Sequence, residues 1–249
     1  MSDKQTFEIE HELTYYEGSQ TGRFNLRTVL DLGILASERQ ETSLGILDPD
    51  GPNKQVGWVV TNYDGHLTDL MPHDGERIIV GTRTTAYNKL LAEREFWLRT
   101  RSGRDFARFR GLFVLMDLGS RKMIPIPDEM IKPFDMPYEN RLPRLQRPAK
   151  FVKDPKGLAS DYRVRFFDID MNRHVNNAVY CDWMLDPLGA EFLKAHRLTN
   201  FAIRYQREVR YGQTVSSLVT EPGDDNSTLH QISAAGHAAA NAQFWWAES

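Results

Sequence analysis

The densest group of side chains able to do chemistry runs from Asp168 through Asp170, Asn172, Arg173 and His174 to Asn176 and Asn177. Such a set can move a proton. A carboxylate or an imidazole can take one from water, and an amide can orient that water or the carbonyl it attacks. The apolar alternation just ahead, Asp161 to Phe167, reads as a strand, and the stretch from about Asn176 to Ala195 reads as a helix. The cluster therefore falls in a strand-to-helix loop. A helix start offers N–H groups and the positive end of the helix dipole, both of which favour an oxygen developing negative charge. Each residue also has a structural reading: Asp170 as a loop cap, Asn172 as a turn residue, His174 as a satisfied half-buried histidine, and Asn176 or Asn177 as an N-cap.

Metal chemistry fits this cluster poorly. Asp168, Asp170 and Asn172 alternate like the first ligands of a calcium loop, but Arg173 stands where glycine is needed and Val179 where a bidentate glutamate belongs. For zinc, His174 has only Cys181, a heptad later, as a neighbouring ligand. No metal and no cofactor is expected. Cys181 is the single cysteine, which excludes an internal disulfide and points to a reducing compartment, the cytoplasm. Met1 to Leu13 interleaves charges with apolar residues, unlike a signal peptide. Leu112 to Met116 is the longest apolar run and is far below the ~20 residues of a membrane span. A net charge of -3 gives no case for a nucleic-acid partner.

The elements that must position the cluster recur along the chain. Phe7 to Leu13 alternates as a strand, and Leu26, Val29, Leu30, Gly33 and Ile34 follow helical spacing behind a candidate N-cap at Asn25. Strand-like runs follow at 55–63, 76–86, 93–101 and 105–118, with Asp64-Gly65 and Ser102-Gly103 as turns. After the second strand and helix, strands are expected at 199–211, 214–221, 228–234 and 242–247. A repeated order of strand, helix and antiparallel strands predicts a duplicated α+β architecture, each half wrapping a sheet around one helix. Residues 1–135 form the first domain and 159–249 the second on this reading. Between them, 136–158 is a proline-containing linker in which Arg141, Arg144, Arg147, Lys150, Lys153 and Lys156 recur at every third position. A polyproline II segment would put all six on one face.

The segment from Asp168 to Trp183, with Asp-Met-Asn-Arg-His-Val-Asn-Asn followed by Tyr180 and Trp183, resembles the active-site region of acyl-acyl carrier protein thioesterases. The resemblance extends to Tyr205-Gln-Arg-Glu-Val209 and to Gln40-Glu41-Thr42. It implies two tandem hotdog domains, hydrolysis of fatty acyl-acyl carrier protein, and a site made of Asp170, Asn172, His174 and Glu208. The first domain would shape the acyl pocket, with bulky residues such as Trp58, Phe96 and Phe109 lining it, and the second would be catalytic.

Where plant members of the family carry a cysteine, this chain has Val209, which cannot attack; Cys181, inside the expected helix, is a poor substitute. Carboxylate chemistry remains, with Asp170 or Glu208 as base or nucleophile. Alternation places Glu208 on the polar face of its strand, so the residues alone also allow a merely solvated glutamate. An acyl-coenzyme A hotdog thioesterase and a non-catalytic acyl-binding sensor are the competing readings, and a homodimer is left open.

Overall fold

The computed structural model describes residues 4–46, 55–171 and 173–249. It comprises two compact units, Met1–Thr61 with Leu70–Leu145, and Asn62–Asp69 with Gln146–Ser249.

The first unit opens with β1 (Thr6–Glu12), a 3-10 turn at Tyr15–Glu17 and α1 (Leu26–Ser43). The early residues of β2 (Val56–Leu67), then β3 (Arg77–Tyr87), β4 (Leu91–Thr100), β5 (Asp105–Asp117), β6 (Lys122–Ile124) and the single turn α2 (Asp128–Ile131) follow. The strands run β1-β3-β4-β5-β2, with β6 on β5. Asn25 caps α1 by accepting the Thr28 N–H at 2.7 Å. The helix lies against the sheet so closely at Gly33 that an added Cβ would meet the Phe109 ring at 2.4 Å. Phe96 and Phe109 stack there with ring centres 4.7 Å apart. The Gln40-Glu41 pair singled out in the sequence is buried in this core, where Arg94 donates to Gln40 Oε1 at 2.7 Å and to Glu41 Oε1 at 3.3 Å. Burial pushes the Glu41 carboxyl up in spite of that cation.

The second unit contains β7 (Leu158–Arg163), a 3-10 turn at Phe166–Asp168, α3 (Val179–Leu185), α4 (Gly189–Ala195), β8 (His196–Tyr205), β9 (Thr214–Val219), β10 (Ser227–Ala234) and β11 (His237–Glu248). Asn62–His66 of β2 pair with β8, and the order continues β8-β11-β10-β9-β7. Val179, Cys181 and Met184 of α3 are buried with Phe201, Ile203, Ile232 and Phe244 of the sheet. Each unit is thus an antiparallel sheet with helices, the α+β hotdog class.

Several boundaries differ from the sequence reading. Asp64-Gly65 is no turn: both residues pair with β8, and the Asp64 carboxylate accepts the Gln146 N–H at 2.6 Å, which satisfies a polar group inside a strand. The expected helix from 176 to 195 is broken by a 3-10 turn at Asp186–Leu188, where Pro187 lacks the N–H a continuous helix needs. The strand expected to reach Tyr211 ends at Tyr205, so Glu208 stands in irregular chain.

The two halves also share a local motif that composition does not reveal. Thr14–Asn25 and Arg165–Asn176 match residue for residue without an insertion. In both, a 3-10 turn carries two exposed aromatic rings edge to face, Tyr15 with Tyr16 and Phe166 with Phe167. In both, the carboxylate at its end accepts the N–H three residues back, Glu17 from Thr14 at 2.8 Å and Asp168 from Arg165 at 2.7 Å. Isolated bridges then close the loops at Gly18–Phe24 and Ile169–Val175.

Candidate active site

The loop between those bridges in the second unit holds the cluster. Its entrance is fixed by Asp168, which is buried and receives Arg165 Nη2 on Oδ1 at 2.7 Å besides the main-chain bond. The Asp170 N–H donates to the His174 carbonyl at 2.9 Å, and the Arg173 N–H donates to the Asp170 carbonyl at 3.0 Å. The His174 N–H approaches Asp170 Oδ1 at 3.5 Å. Asp170 and His174 are both half-buried, and the Nε2 atom of His174 is itself buried. Arg173 takes a positive φ of 64°, the left-handed turn that brings the ends of the loop together. Asn172 lies outside the described residues.

The two asparagines after the loop divide their work. Asn176 Oδ1 accepts the Ala178 N–H at 2.7 Å and its carbonyl accepts the Val179 N–H at 3.0 Å, so Asn176 closes the turn that leads into α3, whose N-cap residue is Ala178. These bonds occupy N–H groups that the sequence reading expects to be open to an oxyanion. α3 is also only seven residues long. Two of the N–H groups at this helix start are thus engaged in the fold itself.

Asn177 differs. Its carbonyl accepts the Tyr205 hydroxyl at 2.9 Å, while its side-chain Oδ1 is buried with no hydrogen-bond partner among the described residues. A buried amide oxygen left this way is suited to receive a bound water or a polar group of a ligand. Sequence inspection weighs Asn176 and Asn177 equally; only the geometry of that turn separates them.

Glu208 is exposed and sits beside α3. Its neighbour Val209 is fully buried, and its main chain faces the hydroxyl of Tyr180, the second residue of α3. Burial, and then the negative charge of Glu208, push the Tyr180 phenol above its ordinary range. Asp170 and His174 thus share one five-residue loop, and Glu208 comes to the first turn of the helix which that loop enters. Cys181 is buried in α3 with no exposed surface, as a packing residue is.

The first unit carries the same loop without the acid, amide and imidazole. Ser19, Thr21 and Arg23 occupy the positions of Asp170, Asn172 and His174 in the matched segments. The Ser19 N–H donates to the Arg23 carbonyl at 2.8 Å and the Gly22 N–H to the Ser19 carbonyl at 2.9 Å, reproducing the bonds around Asp170. Gly22 has φ 74°, matching Arg173. These main-chain bonds and the left-handed position recur in both loops, and the carboxylate and imidazole of Asp170 and His174 occur in the second alone.

Comparison with known proteins supports the same grouping. Residues 4–134 match the acyl-ACP thioesterase N-terminal domain and residues 152–248 the acyl-ACP thioesterase C-terminal domain. A palmitoyl-acyl carrier protein thioesterase of Gossypium hirsutum is 30% identical over 182 residues, 69% of this chain and 43% of that protein. The chain spans about half the length of the curated relatives it matches. A provisionally named oleoyl thioesterase from Lactobacillus plantarum superposes with a TM-score of 0.93 at 37% identity, covering 99% of this chain and 98% of that one. The 12:0-ACP thioesterase from Umbellularia californica shares the fold, with a TM-score of 0.82 at 23% identity over 98% of each chain. Two adjoining domain matches that together cover most of the sequence place this chain in the acyl-ACP thioesterase family.

Proposed function

We propose that this protein hydrolyses the thioester of fatty acyl-acyl carrier protein, releasing free fatty acid and the carrier and so ending chain elongation. The observation that carries the reading is the pair of matched loops. One backbone recurs in both units, and only the second presents Asp170 and His174 with Glu208 near the adjoining helix. In this reading one of the carboxylates, Asp170 or Glu208, takes a proton from water as the oxygen adds to the thioester carbonyl carbon. Asn172 positions the water or the carbonyl, and His174 orients or polarises the site. The tetrahedral oxyanion then collapses, the carbon–sulfur bond breaks, and the abstracted proton goes to the departing pantetheine thiolate. A thiolate leaves readily because its conjugate acid has a pKa near about 8.5.

The N-terminal domain, residues 1–135 in this proposal, shapes the acyl pocket; the domain at 159–249 carries the chemistry. A cytoplasmic setting is part of the reading and is supported by the lone, buried Cys181. The test is thiol release from acyl carrier protein and coenzyme A thioesters of graded chain length. Faster release from the carrier protein is expected. Equal rates on both would favour a coenzyme A hydrolase, and no release from either would leave an acyl-binding protein.

A further inference from the structure

The chain between the last buried residue of the first unit and β7 follows a strict period of three. Pro148, Phe151, Asp154 and Gly157 are at least half-buried, whereas Arg147, Lys150, Lys153 and Lys156 are all exposed. The path is tied down at several points of the second unit. The Ala149 N–H donates to Gln243 Oε1 at 3.1 Å, and Asp154 accepts the Glu221 N–H on Oδ2 at 3.2 Å and the Lys156 N–H on Oδ1 at 2.9 Å. This strap is therefore ordered before anything binds it. None of the four cationic side chains pairs with a carboxylate among the described residues, although ion pairs are frequent elsewhere on this surface. Three extended residues advance about 9 Å, so Arg147, Lys150 and Lys153 form a row roughly 20 Å long, and the tight turn at 154–157, in which the Gly157 N–H donates to the Asp154 carbonyl at 3.1 Å, presents Lys156 at its end.

We propose that this strap is the docking surface for an acidic protein, the carrier that delivers the acyl group, a proposal that rests on the function given above. Four unneutralised cations held in a fixed row attract a partner rich in carboxylates and raise its encounter rate, and the pinned backbone lowers the ordering cost of the complex. Val152, on the adjoining exposed face of the strap, is 68% exposed. An apolar contact among cations suits a folded protein surface better than a phosphate chain. β7 begins two residues after Lys156 and is six residues long, so the strap stands about 20 Å of strand from the entrance to the Asp170 loop. That separation is comparable with an extended phosphopantetheine arm.

The experiment compares the wild type with the quadruple variant R147E/K150E/K153E/K156E and with its neutral counterpart carrying Gln at the four positions. Circular dichroism checks that both fold. Binding of holo-acyl carrier protein is measured by fluorescence anisotropy from low to high salt, and turnover is measured on an acyl carrier thioester and on a short acyl-pantetheine. The charge reversal should weaken carrier binding by about 10-fold or more at low salt and flatten its salt dependence, with the neutral variant intermediate. Turnover of acyl-pantetheine should stay unchanged. Unaltered carrier binding in both variants overturns the proposal, as does a strap-dependent gain of duplex DNA or anionic vesicles in place of the carrier. Were the wild type to hydrolyse no thioester, the proposed function would fall while the binding series still judged the strap.

Discussion

The Val209 main chain faces the phenol of Tyr180, and the charge of Glu208 reaches the same phenol, so the chain segment bearing Glu208 runs beside the first turn of α3. Strand β8 has already ended at Tyr205. Beyond the ladder the segment is anchored by the Gln206 and Arg207 N–H groups, which donate to the Ala239 carbonyl at 2.8 and 3.1 Å, and by the Arg210 N–H, which donates to Gln213 Oε1 at 2.7 Å.

Tyr180→Phe keeps the ring in its pocket and removes the hydroxyl that faces the Glu208–Val209 segment. Losing one buried hydroxyl should lower stability by about 0.5–1.5 kcal/mol. If Glu208 takes part in hydrolysis, kcat should fall as well, and the fall should vanish in a Glu208→Gln background because both changes disable one group. Equal losses of kcat in the two backgrounds would separate Tyr180 from Glu208.

Asp170→Asn retains the size and the main-chain bonds of the loop while removing the carboxylate. Turnover should drop by about 10²-fold or more, the usual contribution of a positioned acid or base. Thermal unfolding should move little. A near-normal rate in this variant would remove Asp170 from the chemistry and leave it as a loop residue.

Asn177→Ala tests whether the buried, unpartnered Oδ1 serves the reaction or is a packing accident. Deleting an Oδ1 that has no hydrogen-bond partner among the described residues should leave stability nearly unchanged. A fall in kcat together with little change in melting temperature is the expected pattern. A large stability loss with normal kcat would make Asn177 structural.

Much of the fold was legible because its signals are local. β1, α1, β3, β4 and β5 each alternate or repeat at the period of their element, and Asn25 marks the helix start by residue type alone. Asp64-Gly65 misled because turn residues in a central strand are tolerated when a partner strand and a distant N–H satisfy them, and neither is visible locally. The matched loops escaped notice because they share backbone bonds and not side-chain identity: Gly22 and Arg173 occupy one left-handed position, as do Ser19 and Asp170 one hydrogen-bonding position. Glu208 could be named only by resemblance. Its own neighbours look solvated, and its place beside Tyr180 depends on a strand ending early.

His230 supplies a pH test that does not involve the site. It is fully buried; its Nδ1–H donates to the Met184 carbonyl at 2.9 Å, and Nε2 accepts the Thr228 hydroxyl at 2.7 Å, with Thr228 Oγ1 accepting Trp246 Nε1–H at 2.9 Å. Every position is filled by the neutral ring. Burial brings its pKa down from 6.5 to about 3. The unfolded chain binds a proton at this residue below pH 6.5 and the folded one does not, so the stabilisation is complete above that pH and is lost as the pH falls. The slope should approach about 1.4 kcal/mol per pH unit for this one group. Urea unfolding at closely spaced pH values between 6.5 and 5 should therefore show uptake of about one proton per molecule unfolded. A flat stability profile across that window would mean that His230 already carries a proton in the folded state, and the chain from Met184 to Trp246 would have to be redrawn.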